Sequence, residues 1–379
     1  MAAAGRTLLP RADPAGRGVG TPTGGTGPVG PRRVQPGSRT GRGGRRDRSG
    51  AVTPAVSVVV VSYQTRELIL TALATLRTAC PAEPYEVIVV DNASSDGSAA
   101  AVAAAFPEAR VVRLARNVGF GRAVNVGAAL ARGDWLLLLN PDTEPVGNVI
   151  GELLAFTRDR PGHGIYVGRT LAPDGSDDGR SVFGPPSLWT LTCFATGLSK
   201  LFPRSRLFNR EALPWLDRSA PVRVPAASGC LLLVRRTLFD QLGGFTPDYF
   251  MYSEDLDLCL RAAALGARPV LVPAARVLHV GGAASTSAGK RVMLLRGQVT
   301  FQRLRWSPTR ARLGRTLLRI GIAARATAAR LTGRAGYWRE VWRQRRTWLA
   351  GWPPAAGLPP VEVTEPVPPG PRGTADPEG

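Results

Sequence analysis

The residues best placed for chemistry stand where apolar runs stop. LLLLNPDTEP, residues 136–145, carries four leucines into Asn-Pro-Asp, so Asp142 offers a carboxylate just past a strand-like segment. Such a group can bind a divalent cation or cap a turn, and alone it does not discriminate between them. DYFMYSEDLDLCLRAAALG (248–266) places Glu254, Asp255 and Asp257 in the first turn of a predicted helix, where the helix dipole favours anions and Ser253 is suited to cap. Leu256, Cys259, Leu260 and Ala263 fall on one face of that helix, and Asp257 pairs with Arg261 at i, i+4 on the other, a structural spacing. RPVLVPAARVLHVGG (268–282) ends an apolar run in His279, one of only two histidines; the other, His163, sits in a Pro-Gly-His-Gly turn and reads as surface.

These groups need elements to hold them. VSVVVVSY (56–63) is a β-branched run, and RELILTALATLRTA (66–79) puts Leu68, Ile69, Ala72, Leu73 and Leu76 on one helical face. EVIVVDN (86–92), ARVVRLA and WLLLLN continue as strands, alternating with helices over SDGSAAAVAAAF and GRAVNVGAALARG. Strands buried on both faces and alternating with helices imply a parallel, doubly wound α/β sheet, whose ligand crevice lies beyond the carboxyl ends of the strands. The polar groups there are Ser62 and Tyr63, Asp91 and Asn92, Arg116 and Asn117, and Asn140 and Asp142, a set suited to a nucleotide. Residues 171–224 are less patterned and rich in Pro, Gly, Trp and Phe, where an acceptor pocket could be built before SGCLLLVRRTLFDQLGGF returns to strand and helix.

Taken in order, VSVVVVSYQT, EVIVVDNASSDGS, RNVGFGRAVNVG, GDWLLLLNPDT, SGCLLLVRR, GGF, YSEDLDLCLR and VLHVGG resemble the inverting glycosyltransferase family 2 over residues 51–285. Within it they are similar to the bacterial subgroup that includes rhamnosyltransferases of surface-glycan assembly. The resemblance implies a GT-A (Rossmann-like) fold, a nucleotide-diphosphate sugar donor and a divalent metal, Mn²⁺ or Mg²⁺.

Departure of a diphosphate leaves negative charge that a divalent ion can neutralise. The resemblance implies Asp142 as a ligand of that ion and His279 as the second, a donor that suits Mn²⁺ better than Mg²⁺. Asn140 replaces the first aspartate of the usual DxD, a variant also found in the subgroup. An acceptor hydroxyl must lose its proton as it attacks, and the resemblance assigns the base to Asp255, with Glu254 as the alternative. By the same analogy Asp91, which ends the second strand with Asn92 of the nucleotide-binding set, hydrogen-bonds a pyrimidine framed by Ser62 and Tyr63, while Arg116, Asn117, Gly119 and Asn125 form the donor-side loop. Asn92-Ala93-Ser94 is a chance glycosylation match within that crevice. dTDP-rhamnose is the first expectation for the donor, and UDP-linked galactofuranose or N-acetylhexosamine come next. The expected acceptor is a lipid-linked or cell-surface glycan.

The net charge of +21 is unevenly placed: residues 1–50 carry +8, residues 288–350 carry +15 with Glu340 as their single acid, and residues 51–287 carry only +1. The core is therefore nearly neutral and the flanks carry the charge. We expect a disordered basic arm over 1–50, a transferase domain over 51–286, a basic amphipathic helical extension over 287–352 and a disordered Pro-rich tail over 353–379. Trp338, Trp342, Trp348 and Trp352 of the extension suit a headgroup boundary, and its arginines suit an anionic membrane surface. The four cysteines form no CxxC pair, as in a reducing cytoplasm, and no apolar leader or spanning segment is visible. The expected location is cytoplasmic, peripheral at the inner face of the plasma membrane. No sequence-specific nucleic-acid motif is present. The competing reading is an inactive GT-A scaffold that binds membrane or nucleic acid through its basic flanks; a processive synthase is disfavoured by the missing spans.

Overall fold

VSVVVVS forms β1 (Val56–Ser62), buried along its whole length, and the next run forms α1 (Arg66–Ala79), which buries Ile69, Ala72, Leu73 and Leu76 and leaves Leu68 half-buried. The alternation continues through β2 (Tyr85–Asp91), α2 (Ser98–Ala105), β3 (Arg110–Leu114), α3 (Phe120–Leu130) and β4 (Trp135–Leu139). After β5 (Thr143–Val146), α4 (Val149–Asp159) and β6 (Ile165–Leu171), the less patterned stretch holds β7 (Val182–Phe183), α5 (Leu188–Thr196), α6 (Leu198–Leu201), β8 (Val222–Arg223) and β9 (Ala226–Ala227). Then come β10 (Leu231–Arg235), α7 (Arg236–Gln241), α8 (Glu254–Ala264) and β11 (Val270–His279). The C-terminal helices are α9 (Ala288–Arg305), α10 (Pro308–Leu331), α11 (Gly336–Arg343) and α12 (Arg345–Ala350), followed by β12 (Val363–Thr364). This computed structural model describes residues 54–280, 287–333 and 336–364; the arm expected over 1–50 lies outside them.

The main sheet runs β12-β3-β2-β1-β4-β10-β6-β11-β5, with β8 beside β11. β1 to β4 are parallel as the alternation predicts. β10, however, enters antiparallel to both β4 and β6, and β11 is antiparallel to β5, so the sheet is mixed, which corrects the all-parallel expectation. LLLVR is apolar because both its faces are covered, and a continuous apolar run carries no information on strand direction. One core packs between the sheet and α3 and α8, another between the sheet and α1, α2 and α4.

A third core joins Leu191 of α5 to Val292, Leu295 and Val299 of α9, Leu318 and Ile322 of α10, Val341 and Trp348. Trp348 is fully buried and donates its indole N–H to Val341 O at 2.9 Å; Trp352 is buried and donates to Met251 O at 2.9 Å. Neither can face a headgroup region, a correction to the sequence reading. Alternating Arg and Trp shows that a helix is amphipathic but not what covers its apolar stripe. Part of the tail read as disordered also packs on the fold. Arg116 Nη2 donates to Pro359 O and Pro360 O at 2.8 and 2.6 Å, and Val363 pairs with Leu114 at the edge of β3. A proline-rich segment buries little by itself, but its free carbonyls suit both arginine and an open strand edge.

Candidate active site

The strand ends and the loop before α3 build one side of the crevice beyond the sheet. Ser62 and Asp91 are fully buried and Tyr63 is exposed. Asp91 Oδ2 accepts from Ser94 N at 3.2 Å, whereas Oδ1 is buried with no hydrogen-bond partner. Burial raises the Asp91 pKa, opposed by Ser94 and Arg113. Asn92 is a strut: its Oδ1 accepts from Val118 N at 2.9 Å and its Nδ2 donates to Gly119 O at 3.3 Å. Asn117 Oδ1 receives Gly119 N at 3.0 Å. Asn125 clasps both backbone groups of Phe245, each at 2.9 Å. Arg116 is occupied by the carbonyls of Pro359 and Pro360, so this structure does not bring its guanidinium to the carboxylate cluster.

Gly119 has φ +87°, and a Cβ there would lie 2.1 Å from Phe250 O, while Phe120 N donates to the same oxygen at 2.8 Å. Only glycine permits that approach. It locks the loop before α3 to the turn that opens α8.

The second cluster forms where β11 meets β5. Asn140 extends the ladder past β4, its N–H reaching Cys230 O at 3.1 Å and its amide Nδ2 reaching Cys230 Sγ at 3.2 Å. Asn140 O receives Thr143 N at 3.2 Å and the Thr143 hydroxyl at 2.7 Å, closing the Asn-Pro-Asp-Thr turn that sets Asp142. Opposite it, His279 registers against Thr143. His279 Nε2 lies 3.2 Å from Asp142 Oδ2, and its Nδ1 lies 3.3 Å from Asp178 Oδ2. Asp178 also accepts from the Thr170 hydroxyl and from Arg180 N. Flanked by Asp142 and Asp178, the imidazole is pushed up to about 9, and His279 and Thr170 hold Asp178 below its ordinary range despite burial.

Sequence reasoning passed over Asp178. The only signal was the acidic run DGSDDGR in an otherwise unpatterned stretch, and nothing in its spacing pointed to a histidine 101 residues later.

The third cluster is the start of α8. Tyr252 and Ser253 both have positive φ, +69° and +73°, and Ser253 makes no side-chain cap bond, contrary to the sequence expectation. A left-handed residue cannot offer the extended cap geometry. Asp255 takes over part of that role: its Oδ1 accepts from Leu256 N at 2.8 Å. Glu254 is buried and its Oε2 has no partner, so burial, and next the charge of Asp255, raise its pKa. Burial raises half-buried Asp255 too, opposed by the backbone N–H groups of Leu256 and Gly229. Asp257 is structural as its spacing predicts, but buried: it binds Arg261 at 2.8 Å, Thr246 at 2.7 Å and Arg305 of α9. Leu258 and Ala262 join Leu256 and Cys259 in the core, while Leu260 and Ala263 are half-buried.

Cys230 ties the clusters together. Burial pushes its thiol up to about 12, and the charges of Asp142, Asp255 and Asp178 add to that rise, so all three act on one point. Half-buried Tyr252 likewise feels Glu254 and Asp142, a second residue the sequence did not reveal. A site with a carboxylate-imidazole pair on one part and a carboxyl of raised pKa on another can hold a cationic centre and accept a proton. Among the described residues no group of three His, Cys, Asp or Glu is set to hold a metal alone. Asp142 Oδ2 and His279 Nε2 converge, and Asp178 orients the ring from its far nitrogen, as outer carboxylates do for metal-bound histidines. Two protein donors fit an ion that completes its shell with phosphate and water oxygens.

The profile described as "Glycosyl transferase family 2" matches residues 57–243. The N-acetylglucosaminyl-diphospho-decaprenol L-rhamnosyltransferase of Mycobacterium tuberculosis is 33% identical over 248 residues, which span 60% of this chain and 76% of that protein. Rhamnosyltransferase WbbL of Escherichia coli K12 is 26% identical over 175 residues, 42% of this chain and 60% of its own. Among solved structures, the mannosyltransferase PcManGT of Pyrobaculum calidifontis, in complex with GDP-Man and Mn²⁺, is similar with a TM-score of 0.48 and 20% identity, covering 79% of this chain and 86% of that one. On the extent of the mycobacterial relative and the profile match, this chain belongs to glycosyl transferase family 2, within which it is similar to rhamnosyltransferases.

Proposed function

We propose that the chain transfers L-rhamnose from dTDP-rhamnose to a hydroxyl of a lipid-linked glycan at the cytoplasmic face of the membrane, with inversion at the anomeric carbon. The observation that carries this reading is the meeting of Asp142, His279 and Asp178 with the acidic start of α8 around Cys230. The sugar and the acceptor come from the mycobacterial relative, whose name specifies rhamnose and a polyprenyl-diphosphate glycan.

Asp91 Oδ1, buried without a partner, accepts the N3–H of thymine or uracil; cytosine has no hydrogen there. Asp142 and His279 would hold Mn²⁺ or Mg²⁺, which neutralises charge on the departing diphosphate. Asp255 takes the proton of the acceptor hydroxyl as its oxygen bonds to the anomeric carbon, and the electron pair of the breaking C–O bond leaves with the diphosphate. Neutral Glu254 beside it leaves Asp255 as the charged member of that adjacent pair, Asp257 being engaged by Arg261 and Arg305.

Thermal stability against dTDP, UDP, GDP and their sugars, with and without Mn²⁺, tests the reading, since a ligand of the native state raises its stability. A Mn²⁺-dependent rise with dTDP that disappears in Asp142→Ala supports it. A rise with UDP alone moves the donor to the uridine class, and no rise with any nucleotide contradicts it.

A further inference from the structure

A cavity of about 200 Å³ lies between the α5–α6 insertion and the C-terminal helices, and none of its lining residues belongs to the strand-end, Asp142 or α8 clusters. Leu191 and Phe194 of α5, Leu295 of α9, Leu318 of α10 and Phe208 give it apolar walls. Phe208 is held in place: its ring lies 5.2 Å from that of Phe202 and 6.1 Å from that of Trp189, and the Trp189 indole donates to Leu207 O at 2.8 Å, folding this segment back onto α5. The walls therefore stand before any ligand arrives.

Two polar groups on these walls lack full partners. Glu211 is fixed through its backbone, whose O accepts from Gly184 N at 2.8 Å. Its carboxyl lies deep among protein atoms, meets the Thr190 hydroxyl and makes no ion pair among the described residues, so burial raises its pKa. The amide of half-buried Gln298 has no hydrogen-bond partner among the described residues. Such groups on a cavity wall call for water or a ligand.

The lining narrows the ligand. A phosphate would meet the Glu211 carboxylate, and a cation would meet Arg210 and Arg291 on the same walls. A hydrocarbon chain would strand both the carboxyl and the amide. A nucleoside diphosphate is too large, since the volume falls below the roughly 300–1,000 Å³ of clefts that take drug-sized ligands. A neutral ring with hydroxyl edges and C–H faces meets every condition: its hydroxyls pair with the carboxyl and the amide while a face lies on an aromatic wall.

We infer that this cavity is a second carbohydrate site, holding one neutral sugar ring outside the catalytic crevice, with Glu211 and Gln298 bonding its hydroxyls and Phe208 lying against its face. The proposed transfer needs no such site, so the inference goes beyond that reading and uses none of its residues. α9 joins the two places. Gly297, next to Gln298, packs against the backbone of Tyr252 at the turn before Glu254, so a glycan held in the cavity is one helix away from the acidic start of α8.

The experiment is saturation-transfer NMR on the full chain, with dTDP and Mn²⁺ present to fill the crevice and with L-rhamnose, N-acetylglucosamine and glycerol as separate probes. Wild type is expected to bind one or both sugars and not glycerol; rhamnose marks the ring as the transferred kind and N-acetylglucosamine as the acceptor's kind. Glu211→Gln and Gln298→Ala are each expected to weaken that binding about tenfold while keeping the melting shift with dTDP and Mn²⁺. Undiminished sugar binding in both variants would place the sugar elsewhere and overturn the site. No sugar binding by wild type, or equal binding of glycerol, would overturn it as well. A wild type without the dTDP melting shift, whose sugar binding is still lost in the two variants, defeats the transferase reading and leaves the carbohydrate site standing.

Discussion

Asp178 Oδ2 stands 3.3 Å from Nδ1 of His279, whose Nε2 faces Asp142 Oδ2 at 3.2 Å. The ring is thus held from one side and presented from the other. Replacing Asp178 by Ala frees the imidazole to rotate and lowers its basicity. Mn²⁺ affinity, measured through the EPR signal of the free ion in the presence of dTDP, is expected to fall about 10- to 100-fold. Asp178→Ala with wild-type Mn²⁺ affinity would show that the pair acts only in folding.

Glu254 makes a pH-dependent stability prediction. Its folded pKa is raised, so the native state binds the proton more tightly than the unfolded chain does. Above the ordinary carboxylate range wild type pays to keep or to bury that charge, whereas below it both states are protonated and the difference vanishes. Glu254→Gln is therefore expected to raise the melting temperature at pH 8 and to leave it nearly unchanged at pH 4. The opposite slope in melting scans would contradict the burial argument.

Gly119 joins the loop before α3 to the turn before α8. Gly119→Ala combines a positive φ with a Cβ 2.1 Å from Phe250 O, so a loss of about 2–4 kcal/mol in urea unfolding is expected. A cost near zero would mean that the loop and turn separate freely.

Trp352 reaches the same turn from the far end of the chain. Its indole donates to Met251 O at 2.9 Å, its ring lies 5.0 Å from that of Phe250, and Arg296 stacks on it at 3.8 Å. Tyr252 and Ser253, with positive φ, are held between this contact and α9, where a Cβ on Gly297 would lie 2.3 Å from Tyr252 O. Trp352→Phe keeps the ring but loses the donor, and about 1 kcal/mol of stability is expected to go with it, against about 3–5 kcal/mol for Trp352→Ala. Equal losses in the two variants, measured by chemical denaturation, would assign the whole effect to packing.

Legibility in the sequence depended on what each pattern records. Continuous apolar runs located β1, β2 and β4 because burial on both faces leaves no other composition, and their ends named Asp91, Asn140 and Asp142. The same runs were silent on direction, so β10 came as an antiparallel strand. Asp178 was invisible because its role depends on a register between distant elements, β6 with β11, that no local spacing encodes. Asn92 and Asn125 were legible as polar groups at the right places but not as struts, since an amide gives no sign of which backbone groups will occupy it. The arginines and tryptophans of the C-terminal third announced amphipathic helices, yet only packing showed Trp348 and Trp352 turned inward.

The most direct measurement is rhamnose transfer from dTDP-rhamnose to N-acetylglucosaminyl-diphospho-polyprenol by wild type and Asp255→Asn, with the dTDP and Mn²⁺ melting shift recorded for both. Wild type is expected to give product of inverted anomeric configuration, and the variant a rate lower by about 10²–10⁴-fold with its melting shift preserved. A wild-type rate in Asp255→Asn would contradict the assignment of the base, and no transfer by wild type from any pyrimidine-nucleotide sugar would contradict the proposed reaction.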